Sequence, residues 1–324
     1  MFIGDVEVKG KVILGPMAGV TSLAYRDFLK DFGVALSFSE MISDCGLVYG
    51  NDRTYEYFST SSKDVPVGLQ LFGSDEKITT KAIEILESNA SYQLLDINLG
   101  CPVTKVVKTG AGSAWLKDPT KLYSYMSSVV KASHKPVTAK IRLGWDSGSI
   151  NFKEVVALLE KAGVSAITVH ARTSRQMYSG QADYLALKGL KETMTVPLII
   201  SGDIFTLDDA IKAIEITHAD GIMVARGGLG NPFLVTQIDT YFRTGERLTE
   251  STLKQQIEYA RKFASALFLE KGNKVGTIQC RGLIPQFFKG FPGYKKIRME
   301  IASNIKSPDD LFALLNGMDR RMSL

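Results

Sequence analysis

The sequence predicts a parallel (β/α)8 barrel, the TIM-barrel fold, followed by an all-helical C-terminal domain. Eight short runs rich in Val, Ile and Leu occur within residues 1–228, longer amphipathic stretches separate them, and no such run follows. Continuous apolar character without alternation is typical of strands that are buried on both faces. Eight strand–helix repeats favour a closed barrel over a doubly wound sheet, which usually has fewer strands.

The eight predicted strands are, in chain order, "KVILGPM", "ALSFSEM", "VGLQLF", "LLDINLG", "VTAKIRLG", "AITVHAR", "PLIISGD" and "GIMVARG". Two of the stretches between them have clear helical spacing, "FKEVVALLEKAG" and "TLDDAIKAIEITHADG". In the second, Thr206 at the N-cap and Asp209 at the third helical position are close to a capping box, which marks a helix start.

The remaining residues predict helices only. In "STLKQQIEYARKFASALFLEKG" the apolar residues share one helical face; they are Leu253, Ile257, Ala260, Ala264, Leu267 and Phe268. Ser307 followed by Pro308 predicts another helix start. We therefore expect two domains, a catalytic barrel over residues 1–242 and a helical domain over residues 243–324.

Positive charge is concentrated in the predicted helical domain. Residues 243–324 contain 15 Lys and Arg against 8 Asp and Glu, a net charge of +7; because the whole chain carries +5, residues 1–242 carry −2. A basic domain beside a weakly acidic one suggests a polyanionic partner. A solvated basic surface would give the same composition.

The cysteine and histidine pattern argues against disulfides and metals. Cys45, Cys101 and Cys280 lie far apart, which indicates a reducing cytoplasm. No CxxC, HxxxH or HExxH motif occurs, so we expect no bound metal. No apolar stretch reaches the roughly 18–20 residues of a membrane helix, and charges in "MFIGDVEVKG" argue against a signal peptide. We expect a cytoplasmic protein with no membrane partner.

In this fold the chemistry gathers in the loops that follow the strands. The residues at these positions include Pro16, Met17, Ala18, Gln70, Asn98, Cys101, Lys140, Arg142, His170, Arg172, Ser201, Gly202, Asp203, Ala225 and Arg226. A charged side chain inside an apolar strand costs free energy unless a partner or ligand satisfies it. Lys140, within "VTAKIRLG", is the clearest case and predicts a functional cation.

The last two strands indicate a phosphate ligand. "SGD" and "ARGGLGNP" offer backbone N–H groups and an arginine at the loops after the seventh and eighth strands. Glycines needed only for tight turns are the alternative. Lys140 could form a Schiff base or hold a flavin, whose reduced ring carries negative charge. Gln70 could read the pyrimidine edge of a flavin and Pro16–Ala18 could form an apolar wall, which favours the flavin.

Several motifs together resemble the tRNA-dihydrouridine synthase family, most closely its bacterial B-type branch. In family order they are "PMAGVTSLAYR", "LQLFGSD", "DINLGCPVTKVVKTGAGSAWL", "KIRLGW", "VHARTSRQMYSGQADY" and "SGDI" with "ARGGLGNP". The resemblance implies an FMN-binding barrel and a helical RNA-binding domain. It also implies reduction of the C5–C6 double bond of particular uridines, with NADPH or NADH as reductant and tRNA as the partner. We expect a monomer.

Carried over by position, the resemblance implies that Pro16–Ala18 and Gln70 contact FMN, with Lys140 as the cation at the flavin. Ser201, Gly202 and Asp203, together with Ala225 and Arg226, would hold the ribityl phosphate. His170 would touch cofactor or substrate, and Asn98 and Arg172 would face the uracil.

Cys101 stands between a glycine and a proline, which is unusual for a cysteine that only fills a core. A thiol is mostly protonated at neutral pH and can release its proton to a developing carbanion. A nucleophilic cysteine would need a neighbouring base, and "LGCPVT" contains none. We therefore predict that Cys101 is a general acid that protonates C5 after hydride reaches C6. An inert buried thiol is the alternative.

The chain departs from the family pattern at three places. Ser201 stands where Asn is common and Ala225 where Gly is common, which predicts weaker FMN affinity. Cys280–Pro285 replaces an Arg-Lys-His run, and Gly282 and Pro285 predict an interrupted helix there. "FFKGFPGYKKIR" retains aromatic residues among basic ones, a combination suited to RNA.

Three other functions stay open at this point. The same chemistry could act on a ribosomal RNA uridine, or the protein could resemble dihydroorotate dehydrogenase and act on a free pyrimidine. The basic helical domain predicted over residues 243–324 argues against the free pyrimidine, because a small substrate needs no additional domain. An RNA-binding protein without catalysis is the third, and the presence of Lys140, Cys101 and Gln70 argues against it.

Overall fold

The eight predicted strands form one closed parallel barrel. The structure, a computed structural model, describes residues 1–322 except for the side chains of 52, 53 and 319–322. A short antiparallel hairpin precedes the barrel, and the strands are β1 (Phe2–Ile3), β2 (Val6–Glu7), β3 (Val12–Leu14), β4 (Leu36–Ser43), β5 (Val67–Phe72), β6 (Leu94–Asn98), β7 (Val137–Arg142), β8 (Ala166–His170), β9 (Leu198–Ser201) and β10 (Gly221–Val224). Strands β3–β10 pair in chain order and β10 closes on β3, which confirms the predicted fold.

Helices surround the barrel and continue beyond it. They are α1 (Leu23–Lys30), α2 (Asp44–Val48), α3 (Asp52–Tyr55), α4 (Glu76–Asn89), α5 (Thr104–Val107), α6 (Pro119–Ala132), α7 (Phe152–Lys161), α8 (Leu207–Thr217), α9 (Phe233–Thr244), α10 (Leu253–Leu283), α11 (Tyr294–Asn304) and α12 (Pro308–Met322). Between β8 and β9 the chain forms only the 3-10 turns Leu185–Leu187 and Lys191–Thr193. Gly180 and Gly189, both at positive φ, interrupt any longer helix in that segment.

The predicted helix starts are confirmed. Thr206 and Asp209 form a complete capping box at the start of α8. At the start of α12 the Ser307 hydroxyl accepts a hydrogen bond from the Asp310 N–H at 3.2 Å. These caps satisfy backbone donors that the first helical turn leaves without partners.

The hairpin β1–β2 closes the amino-terminal end of the barrel. Ile3 and Val8 are buried against interior residues of the strands, among them Ile13, Phe38 and Leu94. This hairpin was not predicted, because strands of two residues are too short to show periodicity. The opposite, carboxyl-terminal mouth is therefore the open end of the barrel.

Helices α10–α12 pack on the barrel through a shared aromatic core, and no strand occurs within residues 243–322, as predicted. The ring of Phe263 lies 5.4 Å from that of Tyr25, 5.5 Å from that of Phe28 and 5.9 Å from that of Phe287. The predicted apolar face of α10 is buried or partly buried. The domain division at residue 242 stays a prediction; that residue lies inside α9.

The predicted interruption of the helix is confirmed at Pro285 and wrong at Gly282. Helix α10 continues through Gly282 and ends at Leu283, and Pro285 lies in the first turn of the 3-10 segment that follows, Ile284–Phe288. The break in α10 lies at Gly272 instead, where φ is 70° and ψ is 172°. A single glycine costs a helix only about 1 kcal/mol. The burial of Cys280 before Gly282 and of Leu283 after it offsets this cost.

Candidate active site

Two adjoining cavities lie at the carboxyl-terminal mouth of the barrel. The larger has a volume of about 390 Å³ and the smaller about 90 Å³. The residues that line both are Pro16, Met17, Lys140, His170, Tyr178 and Arg226. The larger volume lies within the range of about 300–1,000 Å³ that is usual for ligand pockets. The mouth therefore offers one continuous site with two compartments.

Cys101 and Lys140 line the same larger cavity. Their strands are neighbours, with Asn98 of β6 paired in register to Lys140 of β7. The Cys101 N–H donates to Asn98 Oδ1 at 2.8 Å, and its carbonyl accepts from the N–H of Ser113 at 3.0 Å and the hydroxyl at 2.9 Å. Burial raises the pKa of the Cys101 thiol, so the group is protonated at neutral pH.

Burial and, to a smaller extent, the neighbouring charge of Arg142 lower the pKa of Lys140 to about 8, whereas Asp96 and Cys101 oppose the shift. The side chain thus keeps its positive charge at neutral pH, although burial makes the charged form less favourable than it is in water. A cation held in this way is well placed for an anionic group bound in the cavity.

The residues that were predicted to bind a phosphate lie together around the smaller cavity. Ser201, Gly202, Asp203, Ala225 and Arg226 all line it. Within residues 1–322, the N–H groups of Gly202, Asp203 and Arg226 donate to no protein acceptor. Unpaired backbone donors beside an arginine are suited to an anion.

Gly202 is required where it stands. Its φ is 124°, and an added Cβ would lie 2.9 Å from Ala182 Cβ and 3.0 Å from His170 Cδ2. A larger residue would therefore strain the backbone and push against His170. This close approach lets the chain pass directly beneath the smaller cavity.

His170 lines both cavities as a neutral side chain. Burial, followed by the charges of Lys140, Arg142, Arg172 and Arg226, lowers the pKa of His170 far below its usual value. Such an imidazole can donate and accept hydrogen bonds but adds no charge of its own.

Arg172 lines neither of these two cavities but a third, of about 880 Å³, which shares Tyr178, Asp203 and Arg226 with the smaller one. The side chain is 1% exposed. Its guanidinium donates to Asp203 Oδ1 at 2.9 Å and Oδ2 at 2.5 Å, and to the carbonyls of Ser179 and Gly180. These contacts engage the guanidinium with Asp203 and with the loop that follows β8. Arg172 holds Asp203, which in turn accepts from Arg226 Nη2 at 3.2 Å.

Gln70 also lies outside the lining of both cavities, one layer deeper in the barrel. It is fully buried, its Nε2 donates to Asp96 Oδ2 at 2.6 Å, and its Oε1 accepts from Asn98 Nδ2 at 2.8 Å. Asn98 does line the larger cavity, but its polar atoms are engaged by Gln70, Gly100 and Cys101. The oxygen and the NH2 of both amides are thus engaged within the protein in this arrangement.

The family follows from comparison with known proteins. The family model described as "Dihydrouridine synthase (Dus)" matches residues 13–318. The chain belongs to the dihydrouridine synthase family. It is 34% identical over 300 residues to "Probable tRNA-dihydrouridine synthase 1" of Synechocystis sp., covering 92% of this chain and 84% of that protein. It is 32% identical over 298 residues to "tRNA-dihydrouridine synthase B" of Pseudomonas aeruginosa, covering 92% and 90%.

Solved structures of other proteins share the fold of this family member. An old yellow enzyme homologue from Zymomonas mobilis aligns with a TM-score of 0.52 at 11% identity, over 79% of this chain and 94% of that one. Histamine dehydrogenase from Rhizobium sp. 4-9 aligns with a TM-score of 0.57 at 13% identity, over 82% of this chain and 50% of that one. At such identities the likeness supports the barrel alone.

Tyr178, Met41 and Arg142 also line the larger cavity of this family member, although no role was predicted for them. Tyr178 is 52% exposed, and its ring lies 4.6 Å from Arg226 Cζ. It sits in the segment without a helix between β8 and β9, where no periodicity points to a buried or exposed face. Arg142 was noted at its strand end, and its contacts with Gly100 and Met177 carbonyls became evident only in the fold.

No helix in the described part of the chain is long and apolar enough to cross a membrane. Among the side chains that the structure describes, no group of three or more His, Cys, Asp and Glu is arranged to hold a metal ion.

Proposed function

We propose that this family member reduces uridines in tRNA to 5,6-dihydrouridine, with FMN as cofactor and NADPH or NADH as reductant. The observation that carries the proposal is the shared cavity of Cys101 and Lys140, which adjoins a second compartment built for an anion. The names of the relatives in Synechocystis sp. and Pseudomonas aeruginosa support tRNA as the substrate.

The residues present at the mouth fit FMN. Pro16, Met17 and Ala18 give the larger cavity an apolar wall, and Lys140 supplies a cation. The unpaired N–H groups beside Arg226 suit the ribityl phosphate. When bound, the flavin would supply the hydride that reaches C6 of the uracil.

Cys101 supplies the proton in this proposal. Its thiol is protonated because burial raises its pKa, and Asn98 and Ser113 hold its backbone from both sides. The sulfur–hydrogen bond breaks as the proton moves to C5, which leaves a thiolate that solvent reprotonates. With the hydride at C6, this saturates the double bond.

Residues 243–324, called the tail from here on, are the proposed tRNA-binding element. In this proposal the protein acts as a monomer in the cytoplasm and without a metal ion. A net charge of +7 over residues 243–324 supports contact with phosphates. We expect tRNA binding to weaken steeply as salt rises, because phosphate contacts release counterions. Binding titrations between low and physiological salt measure this, and a flat response would contradict phosphate-led binding.

The activity is tested by incubating the protein with NADPH and separate transcripts of tRNA and ribosomal RNA, then mapping saturated uridines. Dihydrouridine confined to tRNA supports the proposal. Dihydrouridine in ribosomal RNA alone, or turnover of free orotate without RNA, would replace it with one of the other candidate substrates.

Cys101→Ala tests the proton donor. We expect FMN binding and NADPH oxidation to be unchanged and dihydrouridine formation to be lost, because only the proton to C5 is removed. Removing a general acid typically lowers the rate about 100- to 10,000-fold. Cys45→Ala, at an exposed cysteine outside the cavity, is the matched control. Full dihydrouridine formation by Cys101→Ala would refute the assignment.

A further inference from the structure

Three hydrogen bonds in series connect the buried carboxylate of Asp96 to the backbone of Cys101. Gln70 and Asp96 are register partners on β5 and β6. Gln70 Nε2 donates to Asp96 Oδ2 at 2.6 Å, and Asn98 Nδ2 donates to Gln70 Oε1 at 2.8 Å. Asn98 Oδ1 then accepts from the Cys101 N–H at 2.8 Å. We call Asp96, Gln70 and Asn98 the amide relay.

The direction of every bond in the amide relay is set at its two ends. An ionised carboxylate only accepts hydrogen bonds, and a backbone N–H only donates. The NH2 of Gln70 must therefore face Asp96, and the oxygen of Asn98 must face Cys101. Without the carboxylate, the amide of Gln70 could turn by half a rotation and present its NH2 to the NH2 of Asn98, so that Asn98 Oδ1 would be held only by the N–H groups of Gly100 and Cys101.

Packing alone does not account for a carboxylate at this depth. Asp96 is 1% exposed, and its other oxygen accepts from the Thr138 hydroxyl at 2.6 Å. A buried charge costs free energy that an apolar side chain of similar volume would not. The hydrogen bonds that Asp96 accepts partly offset this cost, and one of them orients the amide relay.

We propose that Asp96 is a positioning residue for the proton donor, acting through the orientation of Gln70 and Asn98 on the backbone of Cys101. The assignment to a protonation step rests on the proposed function. The control over the Cys101 backbone does not, and it is measurable in the flavin-free protein.

Two kinds of variant distinguish the effect of the hydrogen bonds in the amide relay from the effect of its packing. Asp96→Leu and Gln70→Leu each break the amide relay. The double variant Asp96→Asn/Gln70→Glu keeps a donor and an acceptor at every link, because the new amide donates to the new carboxylate and the second carboxylate oxygen still accepts from Asn98. Thr138→Val, which removes the other hydrogen bond to Asp96, is the matched control.

The measurement is the rate at which iodoacetamide alkylates Cys101 in flavin-free protein, followed by peptide mass spectrometry. Exposed Cys45 serves as the internal standard in each sample. A loosened Cys101 backbone opens more often, so we expect Asp96→Leu and Gln70→Leu to react about fivefold faster, the equivalent of losing one hydrogen bond. In the double variant and in Thr138→Val, the alkylation rate of Cys101 should stay within about twofold of the rate in the unsubstituted protein.

An unchanged rate in Gln70→Leu would overturn the proposal, because Asp96 would then act only as a counter-charge to Lys140. A double variant that is folded by circular dichroism yet as reactive as Gln70→Leu would overturn it as well. If Asp96→Leu does not fold, these two variants decide the question. If the alkylation rates follow the expected pattern but the unsubstituted protein forms no dihydrouridine, the proposed function is contradicted and the role of the amide relay is not.

Discussion

At the scale of single residues, the barrel mouth concentrates positive charge that the protein holds at a cost. Lys140, Arg142 and Arg226 line one cavity, and burial lowers the pKa of Lys140 to about 8 and of Arg142 to about 10. An anionic ligand would relieve this, since it pairs charges that are otherwise only partly compensated. His170 stays neutral among them and adds no repulsion.

Lys140→Met should stabilise the flavin-free protein and weaken FMN binding. A pKa lowered from 10.5 to about 8 corresponds to at most about 3 kcal/mol of unfavourable charge burial at neutral pH. Between pH 8 and 10.5 the unfolded chain binds the extra proton, so the parent regains stability as pH rises. Thermal unfolding at pH 7 and pH 10 measures this, and an equal difference at both pH values would contradict it.

At the scale of elements, two ion pairs that share the carboxylate of Asp203 join the loops that form the smaller cavity. Asp203, after β9, accepts from Arg172 after β8 and from Arg226 after β10. Burial alone would raise the pKa of Asp203, but the hydrogen bonds and charges of these partners hold it below its usual value. Three separate loops are thus held in one arrangement around the predicted phosphate ligands.

Helix α10 allows a direct test of backbone strain. Gly272 and Gly282 both lie in open space, with no atom within 4 Å of an added Cβ, but only Gly272 has a positive φ, of 70°. Gly272→Ala should therefore destabilise the protein by about 1–3 kcal/mol. Gly282→Ala should stabilise it by up to about 1 kcal/mol because it lies in a regular helix. Denaturant unfolding of both variants checks this; equal effects would show that φ is not the cause.

At the scale of the whole molecule, barrel and tail share one hydrophobic core. Phe263 of α10 packs on Tyr25 and Phe28 of α1, and core residues run without a break from the barrel helices into α10 and α12. Separate unfolding of two domains would expose this surface on both sides, which the hydrophobic effect opposes. We therefore expect one cooperative transition.

Phe263→Ala should lower the stability of the whole molecule by about 3–5 kcal/mol, because it opens a cavity between barrel and tail. Release of FMN and loss of helical circular dichroism should shift together to lower denaturant. Leu269→Ala, at a residue of the same helix that is 90% exposed, should change stability by no more than about 0.5 kcal/mol. A variant in which the barrel keeps its own unchanged transition would contradict a shared core.

The sequence by itself determined the barrel and the residues at its mouth. Each of the eight apolar runs coincides with one strand, apart from two further residues at the end of β4, and Cys101, Lys140, Ser201 and Arg226 all line one or both of the two cavities. These features are local: a strand buried on both faces must be apolar along its length, and its end always opens on the same face of the barrel.

The tertiary structure alone decided which polar groups pair. Gln70 and Arg172 were expected at a ligand, but Asp96 and Asp203, from other strands, engage them. No periodicity in the sequence predicts that Tyr178 lines a cavity or that α10 is broken at Gly272. Hydrogen-bond partners that lie tens of residues apart come within reach only when the barrel closes, because register between strands sets which side chains share a layer.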